Sequence, residues 1–284
     1  MSSAPRVAVL MTSHNRCTKT LSALAALERQ RDLPAGTELR THLVDAGSSD
    51  GTPEAVRRLH PGVRLRVVGT DVFWGAGTRI AAGDSCAEGE TPWTHQLWLN
   101  DDVELAEDAL AVLLGTAEEV GEDAVVVGAV RSRATARTTY SGRRSRGRGL
   151  ALDVVEPTGR PEPCDTYNGN VVLLPRAVRE RVGDVDRVFP HGMGDYDHGF
   201  RARRAGVRLY VAPRHVGLCE SNPPLTGSRE PGIGVRAALR RVTSQRELPP
   251  RQWWTYCLRH TWPWAPLLMV SPYLRTVLRA AAAR

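Results

Sequence analysis

The stretch LWLNDDVEL, residues 97–105, ends an apolar run on Asn100, Asp101 and Asp102. Clustered carboxylates repel one another and resist burial, and a cation among them would relieve both costs. A hard divalent cation takes oxygen ligands, and magnesium or manganese commonly uses one or two protein carboxylates together with substrate phosphates. The same residues could instead cap a helix starting near residue 106, where carboxylates favour the helix dipole. Two more acidic stretches pose the same choice. In VDAGSSDGT, residues 44–52, Asp45 closes a strand-like run and a tight polar turn through Gly47 follows. Backbone N–H groups in such a turn can meet a phosphate or ribose, and Asp45 could accept an N–H from a base. In HGMGDYDHGFRARRAG, residues 191–206, Asp195 and Asp197 precede a basic helix. Asp195, preceded by glycines and flanked by Tyr196, is placed as a general base would be.

Such residues work only if a scaffold gathers them. Short β-rich runs (RVAVLMTS, ELRTHLVDA, VRLRVVG, HQLWLND, AVVVGAVR) alternate with stretches of helical spacing from residue 6 to about 130. That alternation predicts a mostly parallel sheet flanked by helices, an α/β fold. Polar material follows the first, second and fourth strands as SHNR, DAGSSDG and NDD. Ligands of open α/β sheets bind outside the carboxyl ends of the strands, so these loops point to one shared site. Past residue 131 the Arg-rich RSRATARTTYSGRRSRGRG reads as an exposed hairpin or mobile loop.

Composition narrows the partners. With 42% hydrophobic and 24% charged residues, the 284-residue chain reads as a soluble globular protein with a real core. The net charge of +7 is carried by arginine, Lys19 being the only lysine. It favours anionic partners such as nucleotide phosphates, but no nucleic-acid-binding motif accompanies it, so nucleic acid is set aside. The cysteines (Cys17, Cys86, Cys164, Cys219, Cys257) are scattered and form no CxxC pair, which argues against a cysteine-based zinc site and for a reducing cytoplasm. No apolar run reaches the length of a membrane span. The division expected is a catalytic unit over 1–220 and a helical extension over 221–284. The tail holds Trp253, Trp254, Trp262 and Trp264 among its arginines. We read it as packing against the catalytic unit or self-associating, ahead of peripheral docking on the inner face of a membrane.

Taken in order, MTSHNR, VDAGSSDGT, FWGAGTRIAAG, LWLNDDVEL, NGNVVLLPR and GDYDHGFRARRAG resemble the family 2 glycosyltransferases of the GT-A fold, from about Val7 to Pro213. Each motif alone is weakly specific; six in the right order are not. VGLCESNPP also resembles bacterial rhamnosyltransferase-like members. The resemblance implies roles. Thr12 and Asn15 would line the nucleotide pocket, and Asp45 would contact the base. Asn100-Asp101-Asp102 resembles the family's DXD metal motif, with Asp102 as its last carboxylate and Asn100 replacing the first Asp. Asp195 matches the acidic residue assigned as catalytic base, with Gly194 where an extra Glu is common. His215 would be a further metal ligand after the last strand. Trp74 could stack on the sugar or base, and Arg79 could approach the diphosphate; a core tryptophan and a solvated helix face are the alternatives.

The function implied is an inverting, Mn2+- or Mg2+-dependent glycosyltransferase. Its donor would be a nucleotide-diphosphate sugar, dTDP or UDP ahead of GDP. Its acceptor would be a hydroxyl on a glycan, a lipid-linked saccharide or a natural product. Two rivals stand beside it: a sugar nucleotidyltransferase, which would need a Gly-rich phosphate loop that SHNRCTKT does not supply, and a catalytically degenerate glycan- or nucleotide-binding module.

Overall fold

The structure is a computed structural model that describes residues 4–87, 92–147, 150–222 and 227–282. Its first half alternates β1 (Arg6–Ser13), α1 (Cys17–Glu28), β2 (Glu38–Asp45), α2 (Thr52–Leu59), β3 (Arg64–Val67), α3 (Trp74–Asp84) and β4 (His95–Leu99). Side chains of a strand point alternately to opposite faces. In β1, Val7, Val9 and Met11 accordingly join one apolar cluster while Ala8 and Leu10 join another. Both faces are covered, which is why the run is apolar throughout and does not alternate with polar residues.

The second half runs β5 (Glu104–Leu105), α4 (Ala109–Val120), β6 (Ala124–Arg131), β7 (Thr138–Tyr140), β8 (Gly142–Ser145), β9 (Leu152–Val154), β10 (Glu162–Pro163), β11 (Thr166–Tyr167), β12 (Val171–Pro175), α5 (Arg176–Val182), α6 (Gly194–Arg204) and β13 (Arg208–Leu218). Three helices follow: α7 (Val235–Val242), α8 (Pro250–His260) and α9 (Ala265–Ala282). The main sheet has the order β10-β13-β6-β12-β4-β1-β2-β3. β1, β2, β3 and β4 are parallel, and β13 is parallel to β6, while β12 runs antiparallel between β4 and β6. That reversal matters for the site. Val171 at the start of β12 pairs with Leu99 at the end of β4, so the loop before β12 lies beside Asn100–Asp102.

The Arg-rich stretch after residue 131 is hairpin-forming, as expected: β6 and β7 pair antiparallel across the exposed turn 133–137, and β8 pairs antiparallel with β9, but its backbone is more firmly anchored than an exposed loop. Its described part forms β7, paired with β6, and β8, which lies between β11 and β9 in a second, three-stranded sheet. Ser141 is buried, and a Cβ at Gly142 would meet Cys164 Sγ at 2.8 Å, so small residues let this backbone pass tight against the core. The arginines fan outward from a backbone that is anchored inside.

The tail is helical as read. α8 packs on α6: Phe200 meets Tyr256 edge-on with centroids 6.4 Å apart, and Arg259 and His260 both bond Asp197. Pro272 lies inside α9 and has no N–H for the Leu268 carbonyl four residues earlier. The Trp253 indole N–H takes that place, donating to Leu268 O at 2.9 Å. Among the described residues no helix is long and apolar enough to cross a membrane.

Candidate active site

Strand tips of the parallel half build one wall of the site. Asp45, at the end of β2, is fully buried and ties two tips together. Its Oδ2 accepts from Ser13 Oγ (2.9 Å) and Ser48 Oγ (2.6 Å), and its Oδ1 accepts from Ser48 N (2.8 Å). Asn15 has φ 50, a left-handed conformation that Asn tolerates better than most residues. There its Oδ1 accepts from Ser49 N at 2.8 Å while its own N–H donates to Ser48 Oγ. Gly47, with φ 67, allows the tight turn, where a Cβ would meet Val68 O at 3.1 Å. Thr12 Oγ1 is buried with no hydrogen-bond partner among protein atoms, and a Cβ on Gly77 of α3 would meet it at 2.5 Å. Asp45, Asn15, Gly47 and Thr12 therefore do share one neighbourhood, although the Asp45 carboxylate is committed to Ser13 and Ser48.

Asp101 and Asp102 follow β4, and Arg16, from the loop after β1, serves both. Its Nη1 lies 3.2 Å from Asp101 Oδ1 and 2.9 Å from Asp102 Oδ2. Burial pushes the Asp101 carboxyl up to about 6; Arg16 pulls it down and Asp102 pushes it further up. Burial disfavours the Arg16 charge, yet the two aspartates outweigh it and hold the guanidinium above its ordinary range. On the other side of Asp102, the Cys219 thiol points at Oδ1 from 3.7 Å. Burial and the Asp102 charge push that thiol up to about 12, so it stays protonated.

A chain of contacts joins this wall to Asp195. The Trp74 indole N–H donates to Asn100 Oδ1 at 2.8 Å. A Cβ on Gly169 would meet Trp74 Cζ2 at 2.4 Å, so the tryptophan lies directly on that glycine. Gly169 N donates to Asp195 Oδ2 at 2.9 Å, and the next residue, Asn170, accepts the Asn100 N–H at 3.0 Å. Asp195 sits in the first turn of α6, half-buried, its Oδ1 accepting from the Tyr196 N–H at 2.9 Å. Burial raises its pKa and the Gly169 and Tyr196 N–H groups oppose the rise. The NGN loop, forced to this edge by antiparallel β12, thus connects Asn100 with Asp195.

Other expected residues lie elsewhere or are otherwise engaged. His215 Nε2 is 2.7 Å from Thr138 Oγ1, which in turn donates to Glu156. Arg79 Nη1 donates to the carbonyls of Gly75 (3.1 Å) and Asp186 (3.3 Å). Among the described residues no group of three or more His, Cys, Asp or Glu could hold a metal ion. A divalent cation here would have to take Asp102, and Asp101 beside it, and complete its shell with substrate phosphates. The donor set fits that demand: two carboxylates already share one positive charge, that of Arg16. Asn100 could add only the lone pair that Trp74 leaves free.

Sequence reading missed Arg16, Gly169 and Cys219. Arg16 was visible as the one cation in SHNR; its target 85 residues away was not.

Comparison with known proteins settles the family. Residues 8–171, more than half of the chain, match the family model "Glycosyl transferase family 2". The chain belongs to that family. It is a glycosyltransferase, and its sheet is the mostly parallel α/β arrangement with a helical tail that was expected. Among solved structures it is similar to mannosyltransferase PcManGT from Pyrobaculum calidifontis in complex with GDP-Man and Mn2+, with 19% identity and TM-score 0.57 over 99% of this chain and 74% of that one. It is similar to S. aureus TarS 1–349 in complex with UDP-GlcNAc, at 12% identity and TM-score 0.54 over 98% of this chain and 83% of that one. It is similar to GalNAc-T7 with UDP, GalNAc and Mn2+, at 12% identity and TM-score 0.62 over 99% of this chain and 55% of that one. At these identities the likeness is one of fold. No curated protein matches the chain.

Proposed function

We propose that this glycosyltransferase moves a sugar from a nucleotide-diphosphate sugar to an acceptor hydroxyl with inversion, using Asp195 as general base. The observation that carries the reading is the contact chain Asn100–Trp74–Gly169–Asp195, which gathers a base and the Asp101–Asp102 pair at one edge of the sheet.

Asp195 is suited to the proton. Each carboxylate oxygen accepts one backbone N–H and keeps a second lone pair for an acceptor hydroxyl. Its raised pKa brings it nearer the working pH, which favours proton transfer in the transition state. The acceptor oxygen attacks the anomeric carbon as its proton passes to Asp195. The bond to the diphosphate breaks on the opposite face and its electron pair leaves with the phosphate, so a single in-line displacement inverts the centre. Arg16 and the tips carrying Asn15 and Gly47 lie where a diphosphate and ribose would bind. Mn2+ or Mg2+ held by Asp102 with Asp101 beside it, and by the lone pair that Asn100 keeps free, would neutralise the leaving diphosphate as a Lewis acid. The Mn2+ complexes of PcManGT and GalNAc-T7 support a divalent ion. UDP in GalNAc-T7 and UDP-GlcNAc in TarS support placing a dTDP- or UDP-sugar ahead of a GDP-sugar, against GDP-Man in PcManGT.

One observation favours a second reading. Arg16 already bridges both aspartates, as it would in a module that binds donor without turning it over. Nucleotide release from dTDP-, UDP- and GDP-sugars with Mn2+ separates the two. The wild type should release nucleotide from at least one donor. Asp195→Asn should lose roughly two to four orders of magnitude in rate while melting normally. Equal rates in the two proteins would remove Asp195 from the mechanism.

A further inference from the structure

α9 is apolar on two opposite sides. Ala265, Thr276 and Ala280 are buried against the protein, while Leu267, Val270, Leu274 and Leu278 are 65%, 56%, 53% and 60% exposed. At about 100° per residue those four fall in one stripe about 80° wide, facing away from the buried side. Trp254 and Leu258 are exposed on α8, and Trp262 and Trp264 on the loop between the helices. Of the ten large hydrophobic side chains exposed among the described residues, these are eight, the others being Leu59 and Val67. Scattered apolar residues need no explanation, but a contiguous patch of this kind marks an interaction surface.

The charge around the patch selects the occupant. From Leu248 to the last residue there is no Asp or Glu, while Arg251, Arg259, Arg275 and Arg279 are present. Arg251 is exposed one turn from Trp254 on α8, and Arg275 and Arg279 are exposed on one flank of α9, about 60° and 100° beyond the edge of the stripe. A second copy meeting the first across this face would bring arginines against arginines, which repel. An anionic bilayer meets both demands: the stripe enters the headgroup–acyl boundary and the arginines reach lipid phosphates. Tryptophan suits that depth, having an apolar body and one N–H. No described helix can span, so the hairpin would lie in the interface plane.

We propose that the α8–α9 hairpin is a docking surface for an anionic membrane. Docking also bears on substrate, a consequence that rests on the reading of Asp195 above. Arg259 and His260 of α8 bond Asp197 on α6, two residues after Asp195. Asp195 is then carried on a helix that packs directly against the docked hairpin, and the acceptor hydroxyl is one carried on a lipid.

The test is flotation of the full chain with vesicles of phosphatidylcholine alone or of three parts phosphatidylcholine to one part phosphatidylglycerol. Light scattering gives the mass in solution, and nucleotide release from the free protein serves as a separate readout. The wild type should bind anionic vesicles roughly tenfold better than neutral ones, and less in high salt. Trp264→Ser/Leu274→Ser and Arg275→Gln/Arg279→Gln should each lose most of that binding with solution nucleotide release unchanged. These side chains are exposed, so their loss leaves the core intact; Leu267→Ser/Leu278→Ser is the replacement pair should the first fail to fold. Absence of wild-type binding to anionic vesicles, equal binding to neutral ones, or binding that survives the substitutions overturns the proposal. So does a dimer in solution that Trp264→Ser/Leu274→Ser turns into a monomer, which would assign the patch to a second copy. Failure of the glycosyltransfer reading would show in nucleotide release and leave vesicle binding untouched.

Discussion

Nη1 of Arg16 lies 2.9 Å from Oδ2 of Asp102 and belongs to a loop 86 residues earlier in the chain. One guanidinium nitrogen thus does for two aspartates what a bound cation would do, and it must move or share when a diphosphate and its metal arrive. Arg16→Gln removes the resident charge. Without metal the variant should be less stable by about 1 kcal/mol, a figure kept small because Arg16 is 39% exposed. With Mn2+ it should gain more in melting temperature than the wild type does, since binding no longer displaces an internal cation. Equal Mn2+-induced shifts in the two proteins would mean that Arg16 and the metal do not compete.

Gly169 is the narrowest joint of the site. A methyl group there would stand 2.4 Å from Trp74 Cζ2 and 3.3 Å from Asp195 Cβ. Gly169→Ala must therefore push the indole away from Asn100 or shift the N–H that holds Asp195. Overpacking of this kind costs roughly 1–3 kcal/mol. Misplacing a catalytic group by about 1 Å costs roughly a hundredfold in rate. Turnover should fall by that order while a Gly→Ala change at Gly83, where nothing lies within 4 Å of the added methyl, leaves it unchanged. Steady-state kinetics on the two variants decide the matter; full activity in Gly169→Ala would show that the Trp74–Gly169 contact does not position the base.

These joints show what a sequence can and cannot disclose. β1 was legible because a strand covered on both faces is apolar nearly throughout, and β2 and β4 because each closes on a short apolar run before a polar turn, so Asp45 and Asn100–Asp102 could be placed at their tips. The antiparallel β12 was not legible as such: VVLLP is equally apolar whichever way it runs. Its direction puts Gly169 and Asn170 beside Asn100, and no local pattern encodes a pairing across 70 residues. The stretch 132–147 was legible as a hairpin, but its anchoring at Ser141 and Gly142 was not, since arginine content reports where side chains end and not where the backbone lies. The tail was legible as helical; that its apolar residues divide between a buried and a bare face required coordinates.

Pro272 offers a test of how α9 is held. The Leu268 carbonyl loses its helical donor to proline and gains the Trp253 indole N–H at 2.9 Å. Trp253→Phe keeps most of the apolar contact but leaves that carbonyl unpaired, at a cost of about 1–3 kcal/mol. Pro272→Ala supplies a backbone N–H for the same carbonyl. Trp253→Phe should therefore cost less in the Pro272→Ala background than in the wild type, and urea unfolding of the four proteins measures the coupling. Strict additivity would mean that the Trp253 hydrogen bond does not substitute for the missing helical one.

Adjacent residues of α6 should make acid unfolding occur in two stages. His198 is fully buried, and burial pushes its imidazole down to about 4 from an ordinary value of 6.5. Nε2 donates to Gly183 O at 2.9 Å, which leaves Nδ1 to accept from the Tyr167 hydroxyl, so the ring fits its site only when neutral. The unfolded chain takes up that proton first, and stability from His198 is full above about 6.5 and lost as pH falls to about 4. Asp197 behaves alike at lower pH. Burial alone would raise its carboxyl, but hydrogen bonds from His260, Arg201 and Arg259 together with the Arg201 charge hold it at about 2. Its stabilisation is full above about 4 and lost as pH falls toward 2. The two steps are each worth roughly 2–4 kcal/mol, the His198 step being the larger. His198→Gln should abolish the upper step and keep the lower one, and Asp197→Asn should do the reverse, each variant starting from a lower plateau at neutral pH. Melting temperature followed from pH 7 to pH 2 reads both. A wild-type profile flat between pH 6.5 and pH 4 would mean that His198 takes up its proton in the folded protein without cost.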